Sequence, residues 1–192
     1  EAFPNVLLRQ RYRDVRDAFR WQVILACWDE YAATLMSASF GEDPTDGYEE
    51  TFLKHLAETR NHARSFIRAY RLHADLDQVY AEVYGALGDL LKFAAYVLGN
   101  SDGHLAELAE RATLAAALAG HWFEPFFKRL HEACRAIRDR YGRWPDKTSF
   151  EVIGDIADEV VAHCGIKHRY LPGGQLHLDI PWHKYRPWLA RL

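Results

Sequence analysis

The chain has 192 residues and a mass of 22.2 kDa, enough for one domain that buries about 70% of its unfolded surface. Apolar residues make up 49% and charged residues 27% of the sequence, and this balance excludes wholesale disorder. The formal net charge of −3 lacks the strongly basic character that dedicated nucleic-acid binders show.

Apolar residues that recur every three or four positions predict an all-α bundle of about five helices. We expect these helices over residues 5–39, 48–73, 75–98, 104–141 and 148–165. The fourth is expected to bend or break between Gly120 and Pro125, because proline removes a backbone donor and clashes with the preceding turn. Gly99 is predicted to end the third helix, and Thr148 with Glu151 forms a capping box that starts the fifth.

The C-terminal part of the chain predicts a small β-hairpin appendage, because two short extended runs flank Pro172, Gly173 and Gly174. Such a hairpin is marginal alone, so we expect it to pack on the helices. Three aromatic residues after it are expected to fix the C-terminus: Trp182, Tyr185 and Trp188. The predicted organisation is a helical bundle over residues 1–145 and a C-terminal unit over residues 146–192.

Membrane, redox and cofactor signals are weak in this sequence. No apolar run approaches the ~20 residues that cross a bilayer, and the N-terminus lacks a signal-peptide pattern, so we expect a cytoplasmic protein without a membrane partner. Three cysteines, far apart and odd in number, suit reduced thiols in the core: Cys27, Cys134 and Cys164. No glycine-rich phosphate loop or catalytic triad order occurs, and we expect no cofactor.

Basic residues form three ladders at helical spacing. The first two are displaced by about a quarter turn from the apolar stripe of their predicted helix, and the third is a weaker version. Eighteen of the 24 basic residues are arginine. The first ladder comprises Arg9, Arg13, Arg16 and Arg20; the second comprises Arg60, Arg64, Arg68 and Arg71; the third comprises Lys128, His131, Arg135 and Arg138.

Arginine suits phosphate because its planar fork donates two parallel hydrogen bonds and keeps its charge at physiological pH. If the ladders line one groove, they predict a non-catalytic module that binds RNA or single-stranded DNA, with nearby tyrosine and tryptophan available for base stacking. Alternatively, Asp14, Asp17 and Glu58 neutralise the ladders. The chain would then be a protein-interaction or assembly subunit, with a protein partner or a homo-oligomer.

Arg68 and His73 offer a catalytic alternative. Their spacing resembles the Arg-x4-His pattern that HEPN-type ribonucleases place on a helix of a four-helix domain. The resemblance implies a small metal-independent ribonuclease in which His73 acts on the 2′-hydroxyl and Arg68 steadies the phosphate. The other interpretation is a solvated helix end with His73 near the C-terminal dipole.

His55, Glu58 and His62 have the spacing of metal ligands on one helical face. That face lies about 90° from the apolar stripe, whereas a carboxylate-bridged metal site projects into the bundle core. These three residues are therefore only weak candidates for metal ligands, and we expect no metal site.

Overall fold

The computed structural model describes residues 12–105 and 108–180. In that part of the chain, six α-helices are followed by one antiparallel hairpin, which confirms the predicted all-α bundle with a β-hairpin appendage. The helices are α1 (Val15–Ser37), α2 (Thr45–His73), α3 (Leu76–Gly103), α4 (Ala112–Leu118), α5 (Glu124–Arg138) and α6 (Glu151–Cys164). The strands are β1 (Lys167–Tyr170) and β2 (Leu176–Asp179), and 3-10 turns cover Leu108–Glu110 and Lys147–Phe150.

The first helix starts later than the apolar spacing predicts. Residues 12–14 are not helical, and the Asp14 side chain caps α1 by accepting a hydrogen bond of 2.9 Å from the backbone N–H of Asp17. The first N–H groups of a helix have no partner within the helix. An aspartate with extended backbone is a favoured cap, because its carboxylate accepts from them. Arg13 therefore precedes the helix, and Arg9 lies outside the described residues.

The third helix continues through the glycine predicted to stop it. A Cβ atom on Gly99 would lie 2.3 Å from the backbone oxygen of Tyr31, and one on Gly103 would lie 2.6 Å from that of Leu35. Both contacts are with α1, and the paired positions advance in the same direction, so α1 and α3 run parallel in close contact. These glycines serve backbone approach rather than termination.

The fourth predicted helix is broken, as expected, at the segment between Gly120 and Pro125. Gly120 has a φ of +69°, and Pro125 lies in the first turn of α5, where no backbone donor is needed. The sixth helix follows a turn capped by Asp146, which accepts from the backbone N–H of Thr148 at 2.8 Å. The observed cap is therefore Asp146, two residues before the predicted cap at Thr148, and it caps the 3-10 turn that precedes α6.

The hairpin closes the C-terminal end of the described chain. Its register pairs Lys167 with Asp179 and Tyr170 with Leu176. His168 and Tyr170 are partly buried, whereas Lys167 and Arg169 are exposed. The predicted contacts of Trp182, Tyr185 and Trp188 lie outside the described residues.

The core centres on α3, which contacts α1, α2, α5 and α6. The three cysteines are buried and form no disulfide with one another. None of the helices in the described segments is both long and apolar enough to cross a bilayer.

Candidate nucleic-acid interface

Two side chains of the first ladder, Arg16 and Arg20, point toward the protein interior. The guanidinium of Arg20 donates to the carboxylate of Glu151, to Asp155 at 2.7 Å and to Asp158 at 3.1 Å, and the residue is 7% exposed. Arg16 also pairs with Asp158. Both side chains fasten α1 to α6, so their guanidinium groups are not available to a phosphate.

Arg13 holds the hairpin. Its guanidinium lies 4.1 Å from the centre of the Tyr170 ring and donates to the Tyr170 hydroxyl at 2.5 Å. That hydroxyl donates to Asp14 at 2.8 Å. This arginine therefore serves packing between the start of α1 and β1.

The third ladder converges on one buried carboxylate, Asp102, whose side chain is 1% exposed. It accepts hydrogen bonds from Tyr31 at 2.6 Å and from Arg135 at 2.6 Å, and His131 lies 2.9 Å away. Burial would raise the pKa of Asp102, but the hydrogen bonds from these residues outweigh it and hold the pKa well below its usual range.

The two remaining members of this ladder are also paired. Arg138 donates to Asp102 at 3.3 Å and to Asp139 at 2.9 Å. Lys128 donates to Glu124 at 2.6 Å, one helical turn away. The third ladder is therefore neutralised by carboxylates and does not offer a basic surface to a phosphate chain.

The second ladder, on α2, differs from the other two. Within the described part of the chain, Arg60, Arg64 and Arg68 form no ion pair with a carboxylate. Arg68 is exposed, and the other two are partly exposed. The sequence itself holds no Asp or Glu from Thr59 to Ala74, so no acidic side chain lies one helical turn from any of these three arginines. Arg71, the fourth member, has the same intermediate burial as Arg60 and Arg64 but is engaged in a further contact.

An aromatic pair lies beside this run. The rings of Trp122 and His163 stack with an interplanar angle of 11° and a centroid separation of 5.2 Å. The guanidinium of Arg60 lies 5.4 Å from the centre of the Trp122 ring, and its Nη2 is 3.5 Å from Nε2 of His163. Cation–π contacts of this kind orient arginine on an aromatic face. We call Arg60, Arg64, Arg68, Trp122 and His163 the α2 face.

The field of these arginines reaches the neighbouring titratable groups. Burial raises the pKa of the Cys164 thiol to about 11, although the charges of Arg60 and Arg64 act in the opposite direction. Burial lowers the pKa of His121, and the charge of Arg60 lowers it further. The α2 face is therefore positively charged where α2, the start of α5 and the end of α6 meet.

The proposed ribonuclease pair lies at the end of α2. Arg68 and His73 are both exposed, and Nδ1 of His73 accepts a hydrogen bond of 2.9 Å from the backbone N–H of Asp75. Five residues at 100° each place the two side chains about 140° apart around the helix. Arg68 and His73 of the same helix therefore do not point toward a common phosphate.

The weak metal candidates are not gathered around a common centre. The ring of His55 packs on Phe93 at a centroid separation of 4.3 Å. Across residues 12–105 and 108–180, no group of three or more histidine, cysteine or acidic side chains is placed to hold a metal ion. His55, Glu58 and His62 therefore give no support to metal chemistry.

The sequence pattern does not indicate two members of the α2 face, Trp122 and His163. They are 41 positions apart, and only the packing of α5 and α6 against α2 brings them together. The one available signal was the aromatic cluster that follows Gly120, which is more often core than site. Comparison with protein-family models, with curated proteins and with solved structures finds no match to this chain.

Proposed function

We propose that the protein binds single-stranded RNA or DNA along the α2 face. The observation that carries the proposal is the run of Arg60, Arg64 and Arg68 without carboxylate partners, beside the stacked Trp122. Every other arginine of the predicted ladders that lies in the described residues is engaged with a carboxylate, with a hairpin tyrosine or, for Arg71, in another contact.

The spacing of the arginines favours an extended strand. Residues four apart on a helix rise by about 6 Å and turn by about 40°, so the three guanidinium groups form a shallow diagonal line. Each fork can bind one phosphate with two parallel hydrogen bonds. A strand that follows this line has its phosphates neutralised one after another.

The aromatic pair favours single strands over duplexes. Bases of a single strand are free to stack on tryptophan or histidine, whereas duplex bases are already stacked on one another. Base stacking tolerates any sequence, because every base presents a π-face. The proposal therefore predicts little sequence preference.

The net charge of −3 limits the strength of binding. With three phosphates neutralised, the logarithm of the binding constant should fall with the logarithm of salt concentration with a slope of about −2. A protein with only a local basic surface should bind weakly at physiological salt and measurably at low salt.

The test is fluorescence anisotropy of a labelled single-stranded oligonucleotide titrated with protein at several salt concentrations. Arg64→Glu and Arg68→Glu should each weaken binding and make the salt slope shallower by about 0.7. The matched control is Arg140→Glu, an identical charge change at an exposed site beyond the far end of α5, roughly 20 Å from Trp122.

Two results would reject the proposal. One is a salt-independent affinity of the unaltered chain. The other is an equal loss of affinity in Arg140→Glu, which would show that only the overall charge matters. Retained helical circular dichroism in all variants confirms that folding is not the cause.

A second candidate function, a protein-interaction subunit, is favoured by apolar side chains at one end of the bundle. Phe40 is 76% exposed and Leu105 is 92% exposed, and they follow the adjacent ends of α1 and α3. Exposed apolar groups that cluster are typical of docking surfaces. Sedimentation velocity should then show self-association that Phe40→Ser abolishes, and a monomer at all concentrations counts against homo-oligomerisation.

A further inference from the structure

The hairpin is attached to the helices by a small set of contacts. Arg13 and Arg16 donate to the hydroxyl of Tyr170 on β1, and that hydroxyl donates to Asp14 at 2.8 Å. Three apolar side chains of the second arm also pack on the core: Leu176, Leu178 and Ile180. A two-stranded hairpin is marginal alone in water, so these contacts decide whether β1 and β2 stay in place.

His168 is the titratable side chain that β1 directs inward. It lies between two exposed neighbours, Lys167 and Arg169, and its own side chain is only 12% exposed. Nε2 of the ring is 4.0 Å from Oδ1 of Asp158, which is beyond hydrogen-bond distance. Nδ1 is buried and has no hydrogen-bond partner in the described residues.

Both signs of charge face His168 from the helices around it. The cations are Arg16 and Arg20 and the anions are Asp14 and Asp158, whereas α3 supplies only the hydroxyls of Tyr80 and Tyr84. Burial raises the pKa of both tyrosines, so they stay uncharged. Asp158 already accepts from Arg16, Arg20 and Tyr84, so its charge is largely compensated before His168 gains a proton.

The buried ring nitrogen determines what protonation of His168 requires. A neutral imidazole carries one proton, and Nε2 can hold it because that atom faces Asp158. The imidazolium form must carry a second proton on Nδ1. That N–H would be buried without an acceptor, and a buried charged donor without a partner is strongly unfavourable. The ring can hydrate both N–H groups only by moving to solvent together with β1.

The interface beneath the hairpin is incompletely hydrogen-bonded even when His168 is neutral. Nε of Arg16 and the hydroxyl of Tyr80 are also buried without a partner among the described residues. Water would satisfy these groups once the hairpin is released. The attachment of the hairpin is therefore opposed by these unsatisfied groups, and one further buried charge shifts the balance toward release.

The pKa of His168 changes in the direction that this geometry requires. Burial lowers it below the ordinary value of 6.5, and the charge of Arg16 lowers it further, whereas Asp158 acts in the opposite direction. The neutral ring therefore stabilises the attached hairpin above pH 6.5, and this contribution is lost as the pH falls below 6.5 toward the lowered pKa. Asp102 loses its charge only at a far lower pH.

We propose that the hairpin is an acid-sensitive switch, in which protonation of His168 releases β1 and β2 from the start of α1 and from α6. Release separates Tyr170 from Arg16 and exposes the apolar side chains of β2. It also opens the layer in which Tyr84 and Asp158 lie to solvent. The contacts of α3 with α1 and α2 do not involve the hairpin, so the helices stay folded.

The first test compares amide hydrogen exchange of the full chain at about pH 7.5 and about pH 5, corrected for the pH dependence of chemical exchange. Protection of the hairpin amides should fall by between about threefold and about 30-fold, the upper limit for a group of pKa 6.5 in the released state. At both pH values the hairpin should exchange faster than α3. Equal protection at the two pH values overturns the proposal, as does opening of the hairpin only together with α3.

The second test removes the titrating group. His168→Phe keeps a flat ring without a proton to gain, so hairpin protection should become the same at both pH values. His168→Gln serves the same purpose with a polar side chain if phenylalanine disturbs the packing. The matched control is His177→Phe, because His177 lies opposite the exposed Arg169 on β2 and should leave the pH response intact. A pH response that persists in both His168 variants, or disappears in His177→Phe, overturns the proposal.

The third test relates release to protonation of one ring. In an NMR titration, the midpoint of the hairpin signals should coincide with the titration of the His168 imidazole and lie below pH 6.5. His168→Lys should release the hairpin already at about pH 7.5, because its charge is permanent. A midpoint at or above pH 6.5, or an attached hairpin in His168→Lys, overturns the proposal. Retained helical circular dichroism at about pH 5 shows that the bundle itself has not unfolded.

Discussion

Arg20 of α1 and Asp158 of α6 face each other inside the bundle, with 3.1 Å between Nε and Oδ2. The same guanidinium reaches Glu151 and Asp155, one turn apart on α6. Asp158 in turn accepts from the hydroxyl of Tyr84 at 2.7 Å. One buried cation therefore bridges three carboxylates that would otherwise repel one another more strongly, and Arg16 supplies a second cation to Asp158.

Arg20→Leu should lower the free energy of unfolding by about 3–5 kcal/mol, because it leaves Asp158 buried with part of its pairing lost. Urea denaturation at pH 7 measures the change. The control is Arg13→Leu, whose side chain is 59% exposed and whose loss should cost under about 1 kcal/mol. Equal losses would show that the α6 carboxylates do not depend on Arg20.

Gly99→Ala and Gly85→Ala should have opposite effects, although both lie in α3. A Cβ on Gly99 meets the Tyr31 backbone at 2.3 Å, and separating α1 from α3 should cost about 1–3 kcal/mol. Nothing lies within 4 Å of a Cβ on Gly85, so helix propensity should stabilise the protein by up to ~1 kcal/mol. Thermal denaturation measures both, and stabilisation by Gly99→Ala would contradict the close contact.

Asp102 should make stability depend on acid pH. Its pKa in the folded state is below the ordinary value of 3.8, so its contribution is fully present above about pH 4 and is lost as the pH falls further. Asp102→Asn should cost about 3 kcal/mol at pH 7, and this difference from the unaltered chain should shrink below pH 4. Urea denaturation across pH 3–7 measures it, and a constant difference would contradict the assignment.

The thiols should be slow to react while the protein is folded. Burial raises the pKa of Cys27 and Cys134, and that of Cys164 to about 11. At pH 8 a thiol with that pKa is about 0.1% thiolate, against roughly a quarter for an unperturbed thiol. Ellman's reagent should therefore react at least ~100-fold faster in urea. Rapid reaction of one thiol in the native protein would contradict its burial.

Trp122→Ala should weaken binding of single-stranded DNA by about 1–3 kcal/mol and leave the salt slope unchanged, because stacking releases no counterions. Anisotropy at two or more salt concentrations separates this effect from the loss of an arginine. Trp144→Ala is the control, since that indole packs on Trp28 and Phe150 away from α2. Equal losses in both variants would remove Trp122 from the interface.

Local patterns were enough to predict most of the fold. The second helix ends at His73 in both prediction and structure, and the hairpin turns at the predicted Pro-Gly-Gly. The error at Gly99 has a physical reason. A glycine that ends a helix and a glycine that admits a neighbouring backbone look alike until the neighbour is placed.

The candidate site shows the same limit more clearly. Arg16 and Arg64 have equivalent places in the sequence pattern, each a quarter turn from an apolar stripe. Arg16 is neutralised by Asp158, which lies 142 positions away and reaches it only through tertiary packing. Arg64 has no such partner among the described residues. The absence of acidic residues from Thr59 to Ala74 is the one local difference, and it does not show whether a distant carboxylate reaches Arg64.

The parallel contact between α1 and α3 also constrains motion. Glycines at positions 88, 99 and 103 interlock with α1 along most of its length, so neither helix can slide or rotate without breaking several contacts at once. Helices α1 and α3 should therefore behave as one rigid unit, with the slowest amide hydrogen exchange of the described chain. Any conformational change on ligand binding should therefore take place in the segments attached to the ends of α1 and α3.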